Sequence, residues 1–555
     1  MAQSIQALKI HPNDNVYVAL TELHPHQTVR AENETLEVSQ VIPPKQKFTP
    51  TTLQPGHFVR MYGVTVGEVT SEIPAGGLLS RANLKHKAED FAASSELYEW
   101  TTPDVSAWQG RTFQGYHRED GSVGTANHWA FIPMVFCENK NIQVLRDALK
   151  KTLGYEPTTP YQDYAEHLAE LIRKGASPED IEAEKIEKLQ NTQPTASKRL
   201  FPNLDGLQFL THNIGCGGTR QDANSLCGLL AGYVTSPNVI GATVIALGCE
   251  NAELKTLQKE IDNRIPNLSK PVLIYEQQKC ASEKDMITSA IRETMLQLAK
   301  ASNISRTPAP LSKLLIGLEC GASDGFSGIS ANPTIGACID RLVTLGGGAI
   351  LSEFPELCGV EQSLVNRCIN KETADRFIGI MREYAAQAKA VGSGFEMNPS
   401  PGNIRDGLIT DAIKSAGAAK KGGTSPIVDV LDYPEKVTQT KGLNLLCTPG
   451  NDLESTTAMA GAGANLLLFS TGLGTPTGNP VSPTLKISTN NNLAETHSEI
   501  IDFNTGPIIT GEKSVDQMGG ELLDLCIETA SGNYIPTTVK MGQTDFLPWK
   551  RGVSL

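Results

Sequence analysis

Histidine, cysteine, carboxylate and lysine residues stand at the ends of apolar runs in this sequence, where folding can bring them together to do chemistry. His212 falls in HNIGCGG, Cys249 and Glu250 in ALGCEN, Cys320, Ser323 and Asp324 in LECGASDG, and Glu353 and Glu356 in SEFPEL. Asn403 closes NPSPGN, Lys414 lies in DAIKS, Thr471 and Gly472 end FSTG, and Asp502 lies in IDFNTG. An imidazole can act as base, acid or metal ligand, and thiols and carboxylates extend a ligand set. A lysine ammonium can pair with the carboxylate of a ligand. Each residue also has a plain structural reading. A histidine beside a glycine-rich turn often holds the loop, and Cys216, Cys249 and Cys320 border glycines where a free thiol packs as a small hydrophobe. Glu353 and Glu356 could cap a following helix. Glycines 321, 325, 328, 472, 474 and 478 are either turn-formers or places where backbone approaches an anion closely.

The runs that carry these residues read as buried parallel strands: WAFIPMVF (129–136), VIGATVIAL (239–247) and PVLIYE (271–276), then KLLIGLECG (313–321), AILSEFPE (349–356), GLNLLCTPG (442–450), ANLLLFSTG (464–472) and TLKIST (484–489). They alternate with amphipathic helical stretches, the pattern of α/β layering. Open α/β sheets bind ligands at the carboxyl ends of their strands, and the polar residues stand there. Residues 1–87 read instead as short β segments, such as VYVAL (16–20) and HFVRMYGVTVGEVT (57–70), punctuated by proline and glycine. The expected organisation is multidomain: a small β domain over 1–87, a polar linker over 88–112, a first α/β domain over 113–308 and a second over 309–555. SNISRTPAPLSK, with its two prolines, marks the break between the last two. Residues 160–200, dense in Glu, Lys and Ala, predict a solvated helical insertion without chemistry.

At 555 residues the chain is too long for one ordinary core. Its formal charge of −13, with basic residues scattered rather than clustered, gives no footprint for a phosphate backbone, so nucleic acid is not an expected partner. No apolar run approaches the ~18 residues of a membrane span and the N-terminus carries no secretory signal, so the expected location is the cytoplasm. Eleven cysteines, an odd number, fit reduced thiols in that compartment.

Seven strings stand in order along the chain: HNIGCGG (212–218), ALGCEN (246–251), LECGASDGFSGISANPTIG (318–336), SEFPELCGVEQ (352–362), NPSPGN (398–403), STGLGTPTG (470–478) and IDFNTG (501–506). Together they make the chain resemble the altronate/galactarate dehydratase family over essentially its whole length. The resemblance implies a β-clip-like N-terminal domain followed by two Rossmann-like α/β units. It also implies a hydro-lyase that converts an aldonic acid such as altronate to a 2-keto-3-deoxy acid, and dependence on ferrous iron, with manganese as the alternative. A small-molecule sugar acid is the expected partner and a homo-oligomer the expected assembly. The reaction removes a proton α to a carboxylate and expels the β-hydroxyl, so it needs a base, a stabiliser of the developing enediolate and an acid. On this reading His212, Asp324, Glu356 and Lys414 are catalytic candidates, Glu250, Ser323, Asn403, Thr471, Gly472 and Asp502 bind substrate, and His212, Cys216 and Cys249 hold the metal.

The chain departs from the family pattern in several places. Lys45, Gln46, Lys47 replace a usual Gly-His-Lys, and Ser80, Arg81, Ala82, Asn83 replace His-x-His-Asn. Ala126 stands for an arginine, Ile404 for a lysine and Leu473 for another arginine. Losing the last two cations would remove charge-assisted bonds to a carboxylated substrate, each worth about 1.5–3 kcal/mol. Losing imidazoles removes nitrogen ligands for iron, so weaker iron retention is expected. Two alternatives accompany the dehydratase reading: a β-elimination with another leaving group, as in the family's sulfolactate sulfo-lyases, and a silent paralogue that still binds a sugar acid.

Overall fold

Short strands, too brief to stand alone, build the N-terminal domain by pairing into two sheets. β1 (Ala7–Leu8), β2 (Tyr17–Ala19), β3 (Thr28–Ala31), β4 (Glu34–Glu37) and β5 (Lys47–Phe48) lie in the order β4-β3-β1-β2-β5, and β6 (Phe58–Met61), β7 (Val64–Val69) and β8 (Leu84–Lys85) form an antiparallel second sheet. The period-two pattern is plain in β3 and β6, which bury Val29, Ala31, Val59 and Met61 while the alternate residues face out. This is a computed structural model, and it describes residues 5–31, 34–92, 98–156, 160–184 and 199–555. Residues 93–97 of the expected linker and 185–198 of the expected helical insertion lie outside those residues. The described part of the linker crosses the last domain, where the Tyr98 hydroxyl donates to the Thr424 carbonyl (2.7 Å) and Trp108 Nε1 to Asp524 (2.8 Å).

β9 (Thr112–His117), β10 (Val123–Gly124) and β15 (Thr307–Pro310) form a small antiparallel sheet in the order β10-β9-β15. The break in periodicity at 305–312 is therefore a paired strand. It lies at the sheet edge, which tolerates Pro308 and Pro310 because one side needs no donors. β11 (His128–Pro133), β12 (Gly206–Phe209), β13 (Val239–Ala246) and β14 (Val272–Glu276) make the first parallel sheet, ordered β12-β11-β13-β14. Of the insertion, helices Pro160–Arg173 and Pro178–Ala183 are described.

The second parallel sheet comprises β16 (Leu315–Gly321), β17 (Gly348–Leu351), β18 (Ile427–Leu431), β19 (Gly442–Leu446), β20 (Leu466–Thr471), β21 (Thr484–Ser488) and β22 (Phe503–Asn504), in the order β18-β19-β17-β16-β20-β21-β22. On one side of β16 the chain lays down β17, then β18 at the edge and β19 between them, and it then returns to the other flank with β20, so the strand order reverses between β16 and β20. Such a switch point opens a crevice at the carboxyl ends. Helix Asp452–Ala462 covers one face and packs on helix Arg220–Thr235 of the first α/β unit so closely that a Cβ on Gly232 would fall 2.0 Å from the Gly461 carbonyl oxygen. Leu229 and Tyr233 thereby share one core with Leu446, Met459 and Leu467. No helix among the described residues is long and apolar enough to cross a membrane.

Candidate functional site

Two non-glycine residues at adjoining strand ends hold left-handed backbone: Ala322 (φ 49°) after β16 and Glu353 (φ 64°) after β17. Such conformations cost of order 1–3 kcal/mol each and persist where their surroundings enforce them. The turn after β17 brings Glu353 and Glu356 to the last residues of β16. There Lys421 Nζ donates to Cys320 Sγ (2.8 Å) and to Glu353 Oε2 (3.1 Å), and Cys320 Sγ lies 3.7 Å from Glu356 Oε2. Lys414 Nζ lies 2.6 Å from Glu356 Oε1 and donates to Asn398 Oδ1 at 2.6 Å. Glu319 accepts from Ser455 at 2.5 Å, while Glu353 Oε1 is buried without a partner. Asp452 completes the group from the first turn of its helix. Gly321 has to be glycine beneath it, because a Cβ there would fall 1.9 Å from Asp452 Oδ2.

Burial sets the electrostatics of this cluster. It raises Glu319 well above the ordinary carboxylate range, helped by Glu353, and pushes Glu353 up to about 7, helped by Glu356. Asp452 is raised by burial and by Glu356. Burial also works against Lys421, but Cys320, Glu353, Glu319 and Glu356 outweigh it and hold the ammonium well above its usual range. Lys414 is held up in the same way by Glu356. For the Cys320 thiol, burial prevails over the Lys421 charge and pushes it above the ordinary thiol range. Lys486, with its ammonium over the Phe469 ring, is lowered by burial to about 7. Side-chain exposure is 10% at Lys414 and 1% at Lys421 and Glu353, and Asp452 is half-buried, so Lys414 and Asp452 are the members a substrate reaches first.

The crevice between β16 and β20 gathers five of the residues expected at the site. Asn403 Nδ2 donates to the Ser323 carbonyl (2.9 Å), Thr489 Oγ1 donates to Asp324 Oδ2 (3.1 Å), and Gly472 N donates to the Ala322 carbonyl (3.1 Å). A Cβ on Gly472 would fall 2.6 Å from Asp324 Cγ. Thr471 Oγ1 accepts from Gly474 N at 3.0 Å and so shapes the turn, and Ser323 Oγ is buried without a partner. The N-terminal domain enters here: Lys45 Nζ lies 2.9 Å from Asp324 Oδ2, Gln46 Nε2 donates to the Arg405 carbonyl (2.7 Å) and Lys47 Nζ to the Gly407 carbonyl (2.6 Å).

Other expected residues are placed elsewhere. His212 Nε2 donates to the Pro133 carbonyl (2.8 Å) and Nδ1 accepts from Ile214 N (3.3 Å), and burial depresses its pKa to about 4. With both ring nitrogens committed to backbone, it is a neutral loop-holder. Cys216 and Cys249 are exposed, and Glu250 accepts from Gly248 N and Cys249 N within its own turn. Asp502 accepts from Lys486 N, Thr537 N and the Tyr534 hydroxyl, tying down the C-terminal segment. Among the described residues no hydrogen bond or ion pair joins His212, Cys216, Cys249 or Glu250 to Asp324, Glu356 or Lys414. The structure does not gather His212, Cys216 and Cys249 into one group: the described groups that could hold a metal are Cys320–Glu353–Glu356 and Glu319–Glu353–Asp452. Sequence reasoning passed over Glu319, Lys421, Asp452 and Lys486. A charge inside an otherwise apolar strand, as in LIGLECG and TLKIST, was the available signal for two of them.

Three family models cover these domains: the altronate/galactarate dehydratase SAF domain over residues 5–87, the D-galactarate dehydratase/altronate hydrolase second domain over 115–302, and the D-galactarate/altronate dehydratase C-terminal domain over 311–554. An altronate dehydratase of Escherichia coli (strain K12) is 32% identical over 95% of this chain and 96% of its own length. The chain belongs to the altronate/galactarate dehydratase family. An altronate dehydratase of Bacillus subtilis (strain 168) is 31% identical over 95% of each chain. A galactarate dehydratase (L-threo-forming) of Escherichia coli (strain K12) is 26% identical over 95% of this chain and 92% of its own. The family's N-terminal SAF domain is thus the part that places Lys45, Gln46 and Lys47 against the second sheet.

Proposed function

We propose that this family member is a hydro-lyase acting on a sugar acid, an aldonate such as altronate, at the cluster of Cys320, Glu353, Glu356, Lys414, Lys421 and Asp452. The observation that carries this reading is a buried acid–ammonium cluster at the carboxyl ends of β16 and β17, with Lys414 and Asp452 at its accessible edge. In this reading Asp452 takes the proton α to the substrate carboxylate. Lys421, fixed behind it, and Lys414 present positive charge where the enediolate develops. Lys414 then gives a proton to the departing hydroxyl. Asp324, held by Lys45 and Thr489, and Ser323, with its unpaired hydroxyl, form the floor against which the sugar chain lies. Cys320, Glu353 and Glu356 would hold a divalent cation. Their donor atoms lie within 4.8 Å of one another, Glu353 Oε1 lacks a partner, and a thiol with two carboxyls suits ferrous iron. Such an ion supplies Lewis-acid stabilisation of negative charge when bound.

The finer fold reading, a β-clip-like SAF domain and two Rossmann-like units, is supported by the short antiparallel strands of the first and the all-parallel pairing of the others. A cytoplasmic location is supported by the eleven free cysteines, and a homo-oligomer is proposed as the assembly. The relatives do not favour a changed leaving group or a silent paralogue. Assay of the purified protein with ferrous iron against a panel of aldonates and aldarates tests the reading: a 2-keto-3-deoxy acid is expected from an aldonate, and no dehydration of any member would overturn it.

A further inference from the structure

A cavity of about 220 Å³ lies at the amino ends of the strands, away from the carboxyl-end cluster. Its wall includes His128 and Gly206, the first residues of β11 and β12, and the turn Asn479–Pro483 that precedes β21, so both α/β units contribute. Three cations line it, Lys150, Arg199 and Arg306, against the single carboxylate of Asp205. In a chain of net charge −13 that is a local reversal of sign. Arg306 is already paired, with Asp205 at 3.4 Å and with the Thr125 carbonyl at 2.9 Å. Lys150 and Arg199 have no carboxylate within ion-pair distance among the described residues. Arg199 lies over the Tyr155 ring at 5.4 Å and its Nε is buried without a hydrogen-bond partner. His128 is kept neutral by burial, at about 4, so it offers a hydrogen bond and not a charge. The side-chain amide of Gln543 supplies a further polar group, while Gln208 Nε2 is hydrogen-bonded to His128 Nδ1 (3.2 Å).

An anion would satisfy the two cations that lack a carboxylate among the described residues, and a hydroxyl group on it would match the Gln543 amide. We propose that this cavity is a second ligand site, for a small polyhydroxylated anion, either a sugar acid or a sugar phosphate, bound without being turned over. The ligand would sit where the two α/β units meet at their amino ends.

Isothermal titration of the full chain with D-gluconate, D-glucose 6-phosphate and inorganic phosphate, each separately, tests this. At least one probe should bind, and the one that binds best tells sugar acid from sugar phosphate. Arg199→Gln and Lys150→Gln should each weaken binding by about tenfold or more, as expected for loss of one charge-assisted contact. Lys371→Gln, an exposed helix position outside both the cavity and the carboxyl-end cluster, should leave it unchanged. Both cavity side chains lie at a half-buried wall, and a ligand-free melting midpoint equal to that of the unsubstituted protein certifies each fold. Absence of binding by all three probes, or binding in both cavity variants equal to that of the unsubstituted protein, would overturn the proposal.

Discussion

Lys421 is a fully buried ammonium facing a thiol and a carboxylate, so its removal is the sharpest test of how the cluster is held. Lys421→Met keeps much of the volume and leaves Glu353 uncompensated. Breaking a buried pair in this way costs about 3–5 kcal/mol, and denaturant unfolding should show a loss of that size. Gly321→Ala should act through Asp452, whose carboxylate occupies the space of the added methyl. Turnover should fall about 10²-fold or more, as for loss of an acid–base group, with little further fall when Gly321→Ala is added to Asp452→Asn. Additive losses would show that the two changes act separately. Glu454, in the same first turn, is raised to about 7 by burial alone. The folded state therefore binds its proton more tightly than the unfolded state, and this group makes stability fall as pH rises from about 4.5 to about 7. Glu454→Gln should raise the melting midpoint at pH 8 and leave it unchanged at pH 4; equal effects at both would contradict the shift. The glycines at 321, 325, 328, 472 and 478 stood out in the sequence, but for a reason it could not give. In the fold they admit the chain's own Asp452, Lys45, Tyr62, Asp324 and Gln543, and Gly474 alone of the six has positive φ, at 86°.

Elements with long apolar runs were legible, and those without were not. β13, β16, β19, β20 and β21 fall inside the runs read as strands, and β11 does so from its second residue, because strands buried on both faces carry little else. β12 is only Gly206–Phe209 and β18 follows a glycine-rich stretch, so each depends on its neighbours for its existence. The strand ends gave Ser323, Asp324, Asn403, Thr471 and Gly472 a common location, since the switch between β16 and β20 follows from parallel order. The place of His212 was not legible, because a glycine-rich turn after a strand looks the same whether its histidine faces a ligand or holds the loop, as here, through the Pro133 carbonyl and Ile214 N. The docking of the SAF loop could not be read from sequence, as it joins residues about 360 apart. It requires Gly407, at φ 95°, where a Cβ would fall 2.4 Å from the Lys45 carbonyl oxygen. Gly407→Ala should therefore speed hydrogen exchange at amides 45–48 and loosen the Lys45–Asp324 pair; unchanged exchange would show the loop is held by other contacts.

Across the whole molecule, Gln46 of the SAF loop stands where the family pattern carries an imidazole, and with Lys45 and Lys47 it faces the C-terminal domain. The Lys45–Asp324 pair has a side-chain exposure of 20% and 0%, so the first domain closes the crevice of the last. The first α/β unit contributes its core to the second sheet through helix Arg220–Thr235, which fixes helix Asp452–Ala462 and with it Asp452. In this account the chemistry belongs to the second sheet and the first α/β unit supports it. The most direct measurement is the formation of 2-keto-3-deoxy acid from altronate by the unsubstituted protein, Asp452→Asn and His212→Ala under one set of iron-loaded conditions. Asp452→Asn should lose about 10²-fold or more of the turnover while His212→Ala retains most of it. Full activity in Asp452→Asn together with loss in His212→Ala would contradict the account.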